Sequence, residues 1–368
     1  MSYQPGNKGV AGGISLVIML TFPFIFLTTP AQTVERGAGL AWLIPLLAAV
    51  PPISIVWGLS YVLSNFKGDL YTVSKILLGR VGAWLVTLYY ISLFFLDAIL
   101  LSRQFAENTL LTALPKAEFS VIILVYLGVA AVLCYAGLEA MVRANYIITP
   151  FSILALVLVL LLLAPYYNIY NLAPWQGTGL EKVIPSAFLV AGAQAGVLAL
   201  IILAPNFQKL SSIKIAAVFG IGLSSMLKSA TVLVFTLVFG VGAAQEKVLP
   251  FFEMARLVYL SRYIQRIESL FIVLWVIAGV LAIAINLYIG LYLITRLLNL
   301  PTLRPLIPIA SILLAQAAML PPDIATIIVL DGILITTYFN IGLYIIPSIL
   351  IIAALLKKRK KEAIKCAG

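Results

Sequence analysis

The sequence predicts an all-α integral membrane protein of about ten transmembrane helices. Composition is the first reason: 63% of the 368 residues are hydrophobic and 10% are charged, whereas soluble globular chains carry about 25% charged residues. The mean hydropathy of +1.12 is the second. The third is that apolar runs of about 20 residues, enough to cross a hydrocarbon core of about 30 Å, recur along the whole chain. The lipid bilayer is therefore the expected environment of most of the protein.

Each predicted helix corresponds to one apolar segment bounded by polar residues. We place the helices at about 10–33, 38–64, 80–109, 118–138, 140–164, 183–205, 212–243, 266–296, 303–321 and 325–356. Short connectors join them, so residues 1–356 are predicted to form one transmembrane domain, followed by a basic tail at 357–368. Two longer connectors, 68–79 and 245–265, are predicted to be structured. Apolar residues recur at helical spacing in the second, which predicts an amphipathic helix on the outer face.

The distribution of positive charge predicts the orientation of the chain. A net charge of +11 is compatible with nucleic-acid binding in principle, but Lys and Arg concentrate in alternate connectors and in the tail. This is the pattern of a membrane protein with both termini in the cytoplasm. The tail is expected to anchor the topology by facing anionic lipid, with a partner-binding role as the alternative. We expect no nucleic-acid partner.

Missing residue types exclude several kinds of function. Histidine is absent, and Cys134 and Cys366 are the two cysteines of the chain. We therefore expect no disulfide framework, metal centre or other cofactor. No nucleophile and base are spaced for catalysis, so the sequence does not indicate an enzyme.

Helix-breaking residues near the middle of the first and sixth helices predict a ligand site. Pro23 removes a backbone donor from the first helix, and Gly192 and Gly196 flank Gln194 in the sixth. Inverted-repeat transporters open two such helices side by side at mid-membrane, where the freed amides and carbonyls suit a zwitterion. A simple kink is the alternative at each break. The predicted site, bounded by helices three and eight, comprises Thr21, Phe22, Pro23, Phe24, Phe94, Gly192, Gln194, Gly196 and Asn286.

Three ionisable residues fall inside predicted spans. Asp97, Lys228 and Asp331 are expected to face the bundle interior, because a charge at such depth costs about 2.5–3.5 kcal/mol on insertion scales. They are candidates for a ligand, ion or water pathway. An internal ion pair that fixes helix packing is the alternative. Arg103 and Glu107, one turn apart, are interpreted as an ion pair at the outer end of helix three.

Three stretches carry a resemblance to a known family. They are Leu249-Pro250-Phe251-Phe252-Glu253-Met254-Ala255-Arg256, then Arg266-Ile267-Glu268-Ser269-Leu270-Phe271 with Trp275, and Gly137-Leu138-Glu139 with Arg143. Together with the ten-helix pattern and the basic tail, they resemble the B subunits of GerA-type spore germinant receptors, in the amino acid-polyamine-organocation superfamily. The resemblance implies a five-plus-five inverted repeat, here about 10–164 and 183–356.

The same resemblance implies a function and partners. It implies nutrient sensing, of an amino acid in our interpretation, in the inner membrane of a bacterial spore alongside A and C subunits. Glu139, Arg143, Arg266 and Glu268 are candidates for a gate or a subunit contact. The alternatives are an autonomous amino acid permease, with or without proton coupling, and a membrane scaffold.

Overall fold

A computed structural model of the chain describes residues 9–66, 68–258 and 267–366, without the side chains of 267–270 and 359–366. Over these residues the protein is helical and contains no strand. Eight helices are long and apolar enough to span a membrane, and a bent pair of helices gives a ninth. A further apolar helix, Leu306–Met319, has 14 residues. Each of the ten predicted segments therefore has a helical counterpart, and one of them is short.

We number these helices α1 to α10 in chain order. Their bounds are Val10–Phe26 followed by Thr29–Leu40 for α1, Leu43–Asn65 for α2, Leu70–Thr112 for α3, Phe119–Ala136 for α4, Leu138–Leu162 for α5, Leu180–Ile202 for α6, Leu210–Gln245 for α7, Ile267–Leu298 for α8, Leu306–Met319 for α9 and Ile324–Lys358 for α10. The last helix continues into the basic tail as far as Cys366.

The break in α1 lies one turn later than the sequence predicts. Phe22, before Pro23, keeps helical dihedral angles of −65° and −40°, and its amide still donates to Ile18 at 2.7 Å. The chain becomes extended at Leu27, with φ −89° and ψ −165°. There the two arms of α1 meet at a bend of 73°. Pro23 occupies the first position of a helical turn, where its missing N–H is tolerated, so the prediction of an opening at Pro23 is wrong.

The predicted break in α6 is present, but the helix tightens there instead of opening. Residues Ala191–Val197 form a 3₁₀ segment that continues into regular helix at Leu198. The cause is close packing against α10: a Cβ atom on Gly192 would lie 2.1 Å from the carbonyl oxygen of Ile335. A 3₁₀ stretch of this length is unusual and often marks a functional hinge.

Small residues also set the spacing of α3 and α8, which share the most extensive helix contact in the bundle. A Cβ atom on Gly279 would lie 2.3 Å from the Phe105 ring, and one on Gly290 would lie 2.2 Å from the Phe95 ring. Small residues at helix interfaces allow such close approach within membranes. The aromatic side chains of α3 therefore sit in notches on α8, which fixes the helix that carries Asp97.

Contacts between residues near the helix ends show which connectors lie at the same end of the bundle. At the basic end, Arg296 in the last turn of α8 lies 3.3 Å from Asp69 before α3, and Lys357 of the tail donates to the Ile76 carbonyl. The predicted structured connector 68–79 is helical there, and α3 begins at Leu70 with a kink at Gly79. The opposite end carries a short helix, Pro250–Leu257, between α7 and α8.

The short helix confirms part of the predicted amphipathic connector. Phe251 and Met254 are fully buried against the bundle, and Lys247 pairs with Glu253 at 2.6 Å. Also at this end, Asp323 caps α10 by accepting a hydrogen bond from the Thr326 amide. That bond lowers the pKa of Asp323 below its usual value.

Candidate ligand-binding site

A small cavity lies in the bundle interior where α1, α3, α6 and α10 meet; we call it the central cavity. It is lined by Leu20, Phe24, Leu93, Phe94, Asp97, Gly192, Ala193, Ala195, Gly196 and Phe339. Phe24, Phe94, Gly192 and Gly196 were predicted for the ligand site, and the structure brings them together. The cavity measures about 10 Å³, which is the space of one water molecule on this measure. A larger ligand requires the surrounding helices to move.

Asp97 supplies the one ionisable side chain on the cavity wall. Its residue is 7% exposed, and its Oδ2 atom accepts a hydrogen bond of 2.6 Å from Asn286 of α8. Asn286 itself is fully buried behind Asp97. The wall of the central cavity at this point is Phe339 of α10, and α8 contributes through the hydrogen bond from Asn286 to Asp97. A buried carboxylate at a cavity surface offers a counter-charge to a cationic group of a ligand.

A second carboxylate lies nearby on α10. Asp331 is buried in the bundle as Asp97 is, and the Gln104 side chain of α3 is its polar neighbour. Asp331 is 2% exposed, and its Oδ2 atom has no hydrogen-bond partner among the described residues. Buried carboxyl groups within membrane spans are typical of proton relays in pumps and transporters, so each of these acids has the chemistry to carry a proton.

Thr21, Phe22 and Pro23 do not reach the central cavity. The Thr21 hydroxyl lies 2.7 Å from the Ser224 hydroxyl of α7 and also bonds to its own helix. Phe22 packs edge-to-face on Phe26 at 4.8 Å between ring centroids. Pro23 is buried within α1. These residues join α1 to its neighbours and leave the pocket wall to Leu20 and Phe24.

Gln194 and Lys228 face a different space, which we call the side cavity. Its walls come from the second arm of α1 and from α2, α6, α7 and α10, and it measures about 50 Å³. Gln194 donates to Ser225 of α7 at 3.2 Å. Lys228 is 9% exposed, and its Nζ atom lies 5.4 Å from the centre of the Phe24 ring.

The ion-pair alternative for the buried charges finds no support in the described residues. Neither Asp97 nor Asp331 lies within ion-pair distance of Lys228, and no other described residue makes a salt bridge with any of the three. The predicted burial of all three is confirmed. Their roles in a pathway stay a prediction.

The sequence profile of the spore germination proteins matches residues 11–327, most of the chain. The chain belongs to this family. The resemblance to the B subunits of GerA-type receptors is thereby confirmed. A search of curated protein sequences gives no match.

Solved structures with a similar fold are transporters. MhsT in complex with L-phenylalanine aligns over 96% of this chain and 99% of its own, at 15% identity and a TM-score of 0.68. A Na⁺-coupled sialic acid symporter aligns over 92% and 80%, at 13% identity and a TM-score of 0.64. A mutant of the Eremococcus coleocola manganese transporter aligns over 94% and 76%, at 13% identity and a TM-score of 0.56. At these identities the likeness shows the transporter fold alone.

The residues predicted as gates or contacts of this spore germination protein lie at its ends. Arg143 pairs with Glu139 at 2.6 Å on an exposed face at the start of α5. Arg103 pairs with Glu107 at 2.6 Å as predicted, although Arg103 is almost fully buried and covers the Phe119 ring. Arg266 and the side chain of Glu268 lie outside the described residues.

Residue-level reasoning missed Phe339 of the central cavity and Arg36 of the side cavity. Phe339 ends the first of two wide π-helical segments of α10, Leu334–Phe339 and Ile341–Ile345. Such turns are frequent at functional sites, but sequence periodicity does not reveal them. Arg36 falls between the first two predicted helices, and its position after the bend in α1 places it at the wall of the side cavity. The sequence does not reveal the bend in α1, so Arg36 was not predicted at the wall of the side cavity.

Proposed function

We propose that this spore germination protein is the nutrient-sensing B subunit of a germinant receptor and binds an amino acid in the central cavity. The supporting observation is that Asp97, Phe24 and Phe94 converge on a cavity beside the 3₁₀ segment of α6. The ammonium group of an amino acid would pair with Asp97, and the aromatic rings would contact its side chain.

The size of the cavity suggests how binding becomes a signal. Because the cavity holds about one water molecule, an amino acid enters only if α1, α6 or α10 shifts. The bend in α1, the tight 3₁₀ turns of α6 and the wide π-helical turns of α10 are places where such a shift can occur. A ligand that favours the shifted arrangement would stabilise it by its differential affinity, and partner subunits would respond to the change.

The setting follows from the family and from the charge pattern. We propose that the chain lies in the spore inner membrane with both termini in the cytoplasm and with A and C subunits beside it. The exposed pair Glu139 and Arg143 at the basic end is a candidate subunit contact. The basic tail would hold the cytoplasmic end against anionic lipid.

Germination of spores tests the sensing role. The gene is deleted in its spore-forming host, and germination is followed by loss of optical density against a panel of amino acids and other nutrients. We expect the response to at least one nutrient to be lost and then restored by the wild-type gene. With redundant receptors deleted, a normal response to every nutrient would contradict the proposal.

Variants of the cavity wall test the site. Phe94→Leu enlarges the central cavity, so the nutrient concentration for half-maximal germination should change or the preferred side chain should shift. Phe151→Leu, exposed on α5, is the matched control and should leave the dose response unchanged. Equal dose responses of the two variants at equal abundance would place the site elsewhere.

The buried acids Asp97 and Asp331 favour a second candidate, a proton-coupled amino acid permease. A proton held by one of these acids would accompany a solute across the membrane. Proteoliposomes distinguish this function from sensing. Radiolabelled amino acid that accumulates when a pH gradient is imposed, and that no longer accumulates in Asp331→Asn, would support transport. Saturable binding without accumulation would support a receptor.

A further inference from the structure

We propose that the side cavity is a second binding site, distinct from the central cavity, and that it takes the carboxylate group of a small organic solute. Lys228 of α7 and Arg36 of α1 would provide the counter-charges. This site lies on the other face of the 3₁₀ segment of α6, and Ala193 borders both cavities.

The charges around the side cavity are of one sign. Lys228 and Arg36 both line it, and no Asp or Glu does. Within the part of the chain that the structure describes, neither cation makes a salt bridge with an acid. An ammonium group that is 9% exposed is costly without an anion. The contact with the Phe24 ring, at 5.4 Å, compensates only part of that cost.

Neutral polar groups at the same cavity have unused hydrogen-bonding capacity. The Oε1 atom of Gln194 and the hydroxyl of Thr29 are buried without a hydrogen-bond partner among the described residues. Gln194 is 2% exposed, and its amide nitrogen is already held by Ser225. The Thr29 hydroxyl can donate to a carboxylate, and the Gln194 oxygen can accept from an N–H or O–H group of the same solute.

The size and the remaining walls favour a small organic acid. The cavity measures about 50 Å³, against roughly 10–15 Å³ for one water on this measure, so a two- or three-carbon acid fits. Ile44, Pro45 and Ile335 form an apolar wall that would contact the carbon chain. An inorganic anion would leave that wall without a partner.

Chemical labelling of lysines tests the proposal on the purified full-length protein in lipid nanodiscs. A small amine-reactive reagent is applied, and mass spectrometry follows modification of Lys228 and of the exposed Lys116. We expect propionate to slow the labelling of Lys228 in a saturable manner. Propionamide, which has the same shape without the charge, should not slow this labelling. Chloride at equal ionic strength should not slow it either. Lys116 should react at one rate throughout.

Thermal unfolding gives a second measurement that does not depend on access of the reagent. Propionate should raise the Tm of the wild type and of the control Lys116→Met, and the rise should be lost in Lys228→Met and in Arg36→Gln. Each variant is compared with itself without propionate, so a change in basal stability does not affect the result. An equal rise in Lys228→Met, an equal effect of chloride, or no effect of propionate in either assay would overturn the proposal. Neither assay uses germination, so the result is independent of the proposed sensing role.

Discussion

Single glycine residues determine how closely α6 approaches its two neighbours. The Cβ of an alanine at 192 would lie 2.1 Å from the Ile335 carbonyl oxygen, which belongs to backbone and cannot rotate away. At Gly196 the nearest atom is the Leu20 Cβ at 3.0 Å, which a small shift of α1 can accommodate. The two glycines therefore have different roles, although they look equivalent in the sequence.

Alanine substitutions at these two positions should separate the roles. We expect Gly192→Ala to lose about 1–3 kcal/mol or more through overpacking and to give little monodisperse protein in gel filtration after detergent extraction. Gly196→Ala should be recovered at close to the wild-type amount. Equal recovery of both variants would contradict the close contact between α6 and α10. Gly196 is consequently the better position for testing ligand binding in spores.

The hydrogen bond between Asp97 and Asn286 gives a prediction about charge. Asn286→Leu leaves the Asp97 carboxylate without its donor and should cost about 1–3 kcal/mol, or more if the carboxylate is ionised. Asp97→Asn removes the charge at nearly constant shape and should lower the Tm less. The double variant should be less destabilised than Asn286→Leu alone. Additive losses in Tm would indicate that the two side chains do not interact.

Some site residues could be predicted from the sequence and others could not. Phe24, Phe94 and Gly196 could be predicted because aromatic residues and helix breakers stand out in an apolar chain. Gln194 and Thr21 were assigned to the wrong space because residue type does not give the rotation of a helix about its axis. The side chains of Thr21 and Gln194 instead form hydrogen bonds with α7. The pattern of helix-breaking residues does not identify α7 as their neighbour.

At the scale of helices, the proline of α1 and the glycines of α6 do not open their helices as such residues often do. Pro23 sits at the start of a turn and leaves α1 nearly continuous, whereas the bend of 73° falls where the chain extends at Leu27. Gly192 of α6 permits close contact with α10, and the helix tightens there. The sequence could place both breaks within about a turn, but their geometry depends on neighbouring helices that a local pattern does not contain.

The notches on α8 predict a compensating exchange of volume between helices. Gly290→Ala places a methyl group against the Phe95 ring and should lower stability by about 1–3 kcal/mol. Phe95→Leu alone leaves a void. The double variant should recover part of the loss, with a coupling of about 0.5–3 kcal/mol in a double-mutant cycle. Thermal unfolding in one detergent measures all four proteins, and zero coupling would mean that α3 and α8 do not meet there.

At the scale of the whole molecule, charge and hydropathy were sufficient to predict the alternation of connectors. Asp69, Arg296, Ile76 and Lys357 come from three different parts of the chain, and all were predicted to lie on one side. The sequence could not show which helices surround the central cavity, because only the packed bundle shows that α10, and not α8, forms its wall. Long-range packing was therefore the missing part of the prediction.

The orientation of the bundle is the remaining whole-molecule prediction. Lys and Arg concentrate at the end that carries the tail, so this end should face the cytoplasm. In a Cys366→Ser background, a membrane-impermeant maleimide applied to right-side-out vesicles should label Lys116→Cys and Lys182→Cys. It should label Lys75→Cys and Lys209→Cys only after the vesicles are opened. The native Cys134 is buried, and its labelling in the Cys366→Ser protein without an added cysteine measures the background signal. The reverse pattern would invert the protein, with the basic end on the outer side of the membrane.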